Sequence, residues 1–337
     1  MIKQNETSDF SFNLMGFSYL QNQRITLFLV FFLLYLLTIL GNTITIFIIC
    51  MDLHLHTPMY LFISQLSFVH ICNTCVTIPK MLINIITKDK SISFAGCVSQ
   101  LFIFSSLGTA ECALLGVMAY DRYLAICSPL RYMEIMGSWV CMVLASVPWL
   151  SGFVQSSIHT FFTFQLFFCQ PRNINSFYCD VPSLLKLSCS ATYLNEIVLF
   201  CVGGLFSLSP FLLTFVSYTL ILEAIFQISS SEGRSKAFST CGSHLTVLSL
   251  FYGATMLVYF RPTSSYSLHV DRLLSVFYTL LTPLLNPIIY SLKNNEVREA
   301  MRKIFKIKEG NLNSKTLTTK NENKKKIFLY NKVESKG

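Results

Sequence analysis

Charge is the property that this sequence has least of. Only 13% of its 337 residues are Asp, Glu, Lys or Arg, whereas a soluble domain typically carries about 25%. The segment 27–50 contains no charged residue at all, and it is long enough for a helix to cross the ~30 Å hydrocarbon core of a bilayer. The composition therefore excludes an ordinary soluble domain.

Several other signatures are missing from the sequence. The first 26 residues have no basic segment followed by an apolar one and a small-residue cleavage site, so we expect no cleaved signal peptide. There are no internal repeats, and the few intramembrane charges do not suit a transporter. No nucleophile and base converge, and no His/Cys cluster has metal-ligand spacing. The sequence therefore predicts no enzyme, no metal and no cofactor.

What the sequence does contain is seven apolar runs of near-spanning length. Because only helices and closed barrels can span a bilayer, runs of this length indicate helices. We therefore predict an all-α membrane protein, a seven-transmembrane helix bundle over 27–292 that follows an extracellular N-terminus, 1–26. The predicted spans are 27–50, 58–82, 98–124, 139–160, 197–222, 238–260 and 272–292.

The chain beyond the last run has two parts. Residues 294–305 place apolar side chains on one side and basic ones on another, a pattern typical of a short amphipathic helix at the membrane interface. The Lys/Asn-rich segment 306–337 is predicted to be a disordered cytoplasmic tail. Its Lys324-Lys325-Lys326 run is either solvated or in contact with anionic lipid.

The orientation of the chain depends on two signals, because basic residues are almost evenly divided between the two sides. Asn5-Glu6-Thr7 is a glycosylation sequon, which is used only on the lumenal side. Four cysteines lie outside the apolar runs on that same side, which indicates an oxidising compartment, and they allow three pairings. We therefore expect an extracellular N-terminus that is glycosylated at Asn5. These cysteines are Cys97, Cys169, Cys179 and Cys189.

The third run combines apolar and charged residues along one line. At about 100° per residue, Phe104, Gly108 and Glu111 fall near Arg122 on the helix wheel. Glu111 is also the expected partner of His70 in the second run, and this intramembrane polar pair is either functional or a structural hydrogen bond. The stripe suits a helix that senses a ligand at one end and reports it at the other.

Hydroxyl-bearing side chains recur on one face of the sixth run. Tyr252, Thr255 and Tyr259 are spaced i, i+3 and i+7. Such a stripe is either part of the helix-bundle core or the wall of an outer, solvent-accessible pocket.

Six motifs, taken together and in this order, resemble those of vertebrate olfactory receptors of the rhodopsin-like G-protein-coupled class. The Leu-His-Thr-Pro form resembles the tetrapod-type branch, whose ligands are mostly volatile and apolar. The motifs are Gly41-Asn42, Leu55-His56-Thr57-Pro58-Met59-Tyr60, Met118-Ala119-Tyr120-Asp121-Arg122-Tyr123, Ser217-Tyr218, the stretch 236–245, and Pro287-Ile288-Ile289-Tyr290.

The resemblance implies specific roles. It implies disulfides between Cys97 and Cys179 and between Cys169 and Cys189. It also implies that Asp121 restrains Arg122 at rest, and that Arg122 rearranges with Tyr218 and Tyr290 when a G protein docks. The implied ligand cavity is lined by Phe104, Ser105, Gly108, Thr109, Val202, Phe206, Tyr252, Thr255 and Tyr259.

The implied partners are a small volatile odorant, the olfactory stimulatory G protein that raises cyclic AMP, and membrane lipids, with no nucleic acid. The implied location is the plasma membrane, in olfactory sensory neuron cilia. Two alternatives stay open: a non-olfactory chemosensory receptor of the same fold, and a polytopic transporter. The oligomeric state is not predicted.

One position departs from the family's pattern. The family has an aspartate where this chain has His70, in Leu66-Ser67-Phe68-Val69-His70. In the family that acid shares a cation with the acid at the position of Glu111. A histidine should bind sodium poorly, so we expect a receptor that does not respond to sodium, with altered basal activity.

Overall fold

The computed structural model describes residues 10–17, 21–87, 89–228, 230–259, 268–293 and 296–303. Six helices in this part of the chain are long and apolar enough to cross a bilayer. A seventh long helix contains a shorter apolar stretch, His244–Gly253, because its first half is rich in polar residues. These helices form the all-α membrane bundle that the sequence predicts.

The long helices extend past the apolar runs at most of their ends. The first four are α1 (Arg24–Met51), α2 (Pro58–Ile86), α3 (Phe94–Cys127) and α5 (Ser138–Phe164). The fifth span joins α7 (Tyr193–Val198), a π-helical turn (Leu199–Gly203) and α8 (Gly204–Phe226). The last two spans are α9 (Ser231–Tyr259), and α10 (Leu268–Val276) continued by a π-helical turn (Phe277–Leu281) and α11 (Thr282–Lys293).

Two short helices and one further segment complete the helical part. These are α4 (Tyr132–Ile135), α6 (Val181–Leu185) and the helical residues 296–303. In the last segment Val297 and Ala300 are buried, and the Tyr60 hydroxyl donates a hydrogen bond of 2.6 Å to Glu296 Oε2. The amphipathic segment is therefore packed against the first turn of α2.

The helix α3 is the centre of the bundle and contacts α2, α5, α8 and α9. Two glycines allow close packing around it. A Cβ at Gly152 of α5 would collide with the Ser106 carbonyl oxygen, and one at Gly116 would lie 3.1 Å from Pro210 Cβ. The outer faces of the peripheral helices expose large apolar side chains, such as Leu36 (46%) and Phe200 (82%), which is the surface expected in contact with lipid.

A small sheet at one end of the bundle was missed by the sequence reasoning. Its strands are β1 (Ser11–Leu14), β2 (Ser91–Ser93) and β3 (Asn173–Ile174), in the order β2-β1-β3. β1 is antiparallel to β2, with Ser11 opposite Ser93, and parallel to β3. Strands this short carry little sequence signal, and they pair over separations that no local pattern reveals. We call the end with this sheet the outer end and the opposite one the inner end.

Candidate functional site

An aromatic cluster lies beneath the outer sheet. The Phe104 ring of α3 is 4.5 Å from the Tyr178 ring and 6.3 Å from the Tyr278 ring, centroid to centroid. Phe104 and Tyr178 are buried. The sequence reasoning selected Phe104 but missed both tyrosines. Tyr178 directly precedes a cysteine in the sequence, and that neighbour was the signal that could have identified it.

Disulfides fix the loop that carries Tyr178. The structure joins Cys97 of α3 to Cys179, and Cys169 to Cys189, which are the two pairs that the resemblance implies. Next to the first pair, Gln100 Oε1 accepts a 2.9 Å hydrogen bond from the Cys179 N–H. The loop is thus tied to α3 both covalently and by a hydrogen bond, which places Tyr178 beside Phe104.

The small and hydroxyl-bearing residues of α3 below Phe104 point in different directions. A Cβ at Gly108 would lie 3.1 Å from the Tyr278 hydroxyl, so this glycine faces the seventh span. The Thr109 hydroxyl donates a 3.0 Å hydrogen bond to Gln155 Oε1 of α5 and is therefore occupied by a neighbouring helix. Ser105 is half-buried. Of the predicted lining on α3, Phe104 and Gly108 therefore face the seventh span.

The remaining predicted cavity residues lie on the fifth and sixth spans. Val202 and Phe206 are half-buried, Val202 within the π-helical turn. The Tyr252 ring packs edge-on against Phe211, with centroids 5.0 Å apart, and its hydroxyl is 4.0 Å from Cys112 Sγ. Tyr252 therefore bridges α9 to α3 and α8. The side chains of Thr255 and Tyr259 lie outside the described part of the chain.

A buried polar centre occupies the middle of the bundle. His70 Nε2 is 3.1 Å from Glu111 Oε1 and 3.2 Å from Asn286 Nδ2, and all three side chains are at most 2% exposed. One ring nitrogen cannot donate and accept a hydrogen bond at the same time. If His70 Nε2 donates its N–H to Glu111, the Asn286 amide must therefore turn its oxygen rather than its nitrogen toward the ring. The structure thus brings the predicted pair together and adds Asn286.

At the inner end, Asp121 is held by a residue that the sequence reasoning did not select. The Tyr132 hydroxyl of α4 donates a 2.8 Å hydrogen bond to Asp121 Oδ1. Among the described residues no ion pair joins Asp121 to Arg122. Burial, followed by the nearby Asp121 charge, raises the pKa of Tyr132, so its hydroxyl stays protonated and remains a donor at neutral pH.

Tyr218 and His244 form the second inner contact. The Tyr218 hydroxyl lies 2.7 Å from His244 Nδ1, and both side chains are buried. His244 was also missed, although a histidine inside an apolar stretch was the available signal. The side chain of Tyr290 and the whole of Asn5 lie outside the described residues.

The helix α3 connects the outer aromatic cluster, the buried polar centre and the inner contact of Asp121. It has 34 residues, a length of about 51 Å at 1.5 Å per residue, and carries Phe104, Glu111 and Asp121 in turn. Within the described ranges no group of three or more His, Cys, Asp or Glu is placed to hold a metal ion. The arrangement suits transmission of a conformational change from one end of the bundle to the other.

Comparisons with known proteins agree with this architecture. A family model described as "Olfactory receptor" matches residues 31–308. Mouse (Mus musculus) olfactory receptor 5AP2 is 48% identical over 90% of this chain and 95% of the relative. Human olfactory receptor 5A2 is 47% identical over 92% of this chain and 95% of its own length. Squid rhodopsin has the same fold, with a TM-score of 0.65, 20% identity and coverage of 85% and 86%.

Proposed function

This chain belongs to the olfactory receptor family of rhodopsin-like G-protein-coupled receptors, and from that premise we propose how it works. It binds a small, mostly apolar volatile ligand in the outer half of its bundle and activates the olfactory stimulatory G protein, which raises cyclic AMP. The observation that carries this proposal is the path of α3 from the Phe104 cluster to Asp121 and Arg122.

The odorant cavity of this proposal lies between α3, the fifth span and the last two spans. Phe104, Ser105, Gly108, Val202, Phe206 and Tyr252 contribute to it, together with Thr255 and Tyr259, whereas Thr109 supports its wall through Gln155. Binding an apolar ligand there gains about 25 cal/mol per Å² of apolar surface removed from water. The Ser105 hydroxyl is the polar group on α3 that remains to orient such a ligand.

Activation in this proposal is a shift between two populations. At rest Tyr132 holds Asp121 and His244 holds Tyr218. In the active state these contacts open, and Arg122 rearranges with Tyr218 and Tyr290 as the G protein docks. The ligand need only bind the active state more tightly by a few kcal/mol to shift the equilibrium.

The chain is a multi-pass membrane protein, and the proposal places its N-terminus outside the cell. Both disulfides lie at the same end as β1, and disulfides form in oxidising compartments. The proposal therefore includes glycosylation at Asn5 and residence in the plasma membrane of olfactory cilia. Surface labelling of an N-terminal tag on intact cells, and loss of a glycan in Asn5→Gln, check this orientation.

The test of the ligand site uses cells that carry a cyclic AMP reporter and a panel of volatile compounds. The most active compound is then applied to Gly108→Val and to the matched control Gly204→Val. At Gly108 an added side chain would meet the Tyr278 hydroxyl, whereas a Cβ at Gly204 meets no atom within 4 Å. We expect the half-maximal concentration to rise about tenfold in Gly108→Val alone, since filling a well-packed site costs about 1–3 kcal/mol.

Two outcomes would contradict the proposal. If no compound raises cyclic AMP although the receptor reaches the surface, coupling to a stimulatory G protein is wrong. If Gly108→Val and Gly204→Val respond alike, the ligand does not bind next to Gly108 and the proposed cavity must be abandoned.

A further inference from the structure

A cavity of about 240 Å³ lies at the outer end of α1 and α2. Its walls come from the segment after β1, the first residue of α1, the end of α2 with the loop that follows, and the disulfide-bonded loop. The residues that matter for its chemistry are Phe17, Arg24, Met81, Asn84, Lys90 and Phe177. None of them belongs to the odorant cavity proposed above.

Two cationic side chains line this cavity. Lys90 Nζ donates hydrogen bonds to the carbonyl oxygens of Asn84 and Thr87, which holds the ammonium at the cavity wall. Both residues line the same cavity, and burial, followed by the charge of Arg24, lowers the pKa of Lys90. No described residue forms an ion pair with either of them.

Within the described part of the cavity wall, no carboxylate compensates these charges. The described lining contains no Asp or Glu, and the neighbouring Asp89 carboxylate instead accepts a 2.8 Å hydrogen bond from the Ser91 N–H. Two adjacent cations without a counter-charge favour an anion from outside the chain, which would form charge-assisted hydrogen bonds with them.

Asn84 provides an independent indication of a ligand. Its side chain is only 7% exposed, yet both its Nδ2 and its Oδ1 lack hydrogen-bond partners among the described residues. Buried polar groups are nearly always paired, because an unpaired one loses its hydration without compensation. Asn84 lines the cavity, and its Nδ2 would donate a hydrogen bond to a ligand oxygen once the side chain turns toward it, because neither amide atom is accessible in this structure.

The opposite wall is apolar and narrow. The rings of Phe17 and Phe177 are stacked, with centroids 5.9 Å apart and an angle of 20° between their planes, and Met81 is buried beside them. The volume is below the ~300–1,000 Å³ typical of sites for drug-sized ligands. The cavity therefore fits an organic anion with an apolar part of only a few carbon atoms.

We propose that this cavity is a second ligand site, which binds a small amphipathic carboxylate. Its carboxylate lies between Arg24 and Lys90 and accepts a hydrogen bond from Asn84. Its apolar part packs against Phe17, Met81 and Phe177. A layer of aromatic rings separates this ligand from the odorant, because Phe177 contacts Tyr178, whose ring in turn packs on Phe104.

The test measures binding of isotope-labelled hexanoate by NMR to the full-length receptor in nanodiscs of zwitterionic lipid. We expect Arg24→Gln and Lys90→Gln to raise the dissociation constant at least about tenfold, because each removes a charge-assisted contact. Lys80→Gln is the matched control, since Lys80 lies near the end of α2 that lines the cavity but is not itself part of the described lining. Hexanol, which has the same chain and no charge, should not bind.

Any of the following results would overturn the proposal. Hexanoate binding that is absent from the wild-type receptor, or equal in wild type and both glutamine variants, excludes the site. Equal binding of hexanol shows that the charges play no part. Loss of hexanoate binding in nanodiscs with added anionic lipid identifies a lipid headgroup as the occupant instead. An unchanged unfolding temperature of Arg24→Gln, which alters an exposed side chain at a helix start, ensures that lost binding is not lost folding.

Discussion

The outer and inner ends of the bundle are held together by different kinds of bonds. At the outer end, two disulfides and a three-stranded sheet join the N-terminal segment and two loops to α3. At the inner end, Asp121 and Tyr218 are each held by a hydrogen bond to a single side chain, Tyr132 and His244 respectively. The outer end is fixed by covalent and backbone bonds, and the inner end by bonds that can exchange.

This difference fits a receptor whose two ends have different tasks. A side-chain hydrogen bond contributes only about 0.5–1.5 kcal/mol, which is comparable to the free energies that shift a conformational equilibrium. Disulfides and paired strands do not open within that range. The outer end can therefore keep a ligand cavity in shape while the inner end changes conformation.

The largest effect is expected when the covalent part of the outer end is broken. Cys97→Ser opens a loop of 82 residues and releases the segment that carries Tyr178. Loss of a native disulfide typically costs about 2–5 kcal/mol. We expect the receptor to be retained inside the cell, measured as loss of surface labelling on intact cells.

Cys201→Ser is the matched control, because Cys201 is an exposed, free cysteine in the fifth span. It should reach the surface like the wild type. Normal surface labelling of Cys97→Ser would show that the sheet and the helix packing hold the outer end without the covalent bond.

The next effect concerns an exchangeable contact at the inner end. His244→Leu removes the hydrogen bond between the Tyr218 hydroxyl and His244 Nδ1, which weakens the contacts that hold Tyr218 in the resting state. We expect basal cyclic AMP to rise about tenfold at equal surface level, which corresponds to about 1.4 kcal/mol. His159→Leu is the control, since His159 is also buried but lies in the outer half of α5. Unchanged basal activity in His244→Leu would refute the role of this contact.

A smaller effect concerns two aspartates of the outer end, whose contributions to stability depend on pH in opposite directions. Burial raises the pKa of Asp180 to about 6, from an ordinary value of 3.8. A raised pKa means that this carboxyl's contribution to stability is present below about pH 4 and is lost as the pH rises through about 6. Asp180→Asn should therefore stabilise the receptor near pH 7.5 by about 1 kcal/mol, discounted for partial exposure, and not near pH 4. Thermal unfolding at both pH values measures this.

Asp89→Asn should act in the opposite direction. Hydrogen bonds from Ser91, first from its backbone N–H, lower the pKa of Asp89, so its contribution is present at neutral pH and is lost as the pH falls through that lowered pKa. Its replacement should destabilise the receptor near neutral pH. Shifts of the same sign in both variants would contradict the assignment of burial as the dominant cause at Asp180.

The sequence was sufficient for the bundle but not for its ends. Apolar runs are local signals, so the long helices follow from them directly, including the start of α2 at Pro58. The stripe of α3 and the closeness of His70 to Glu111 also follow from helical spacing and depth. The family assignment came from motifs spread over nearly the whole chain and was confirmed by the comparisons.

Contacts between distant segments could not be predicted in this way. The position of Tyr178 depends on a disulfide that closes a loop, and that of β1 on strands whose paired residues lie 78 to 160 positions away. The hydrogen bond of Thr109 to Gln155, and that of Tyr132 to Asp121, depend on how helices rotate against each other. Helix rotation is set by packing of whole surfaces, which no single motif encodes.

The smallest effect is expected in the middle of the bundle, between the fixed and the exchangeable end. The resemblance implies an aspartate in the family at the position of His70, and the His70 Nε2 already lies 3.1 Å from Glu111 and 3.2 Å from Asn286. With one carboxylate instead of two, and that one in contact with the imidazole, sodium gains too little to replace its hydration. We expect equal basal cyclic AMP in sodium and in a sodium-free buffer for the wild type. His70→Asp should restore a response of about twofold, less than 1 kcal/mol, and equal sodium responses of the two receptors would refute this role of His70.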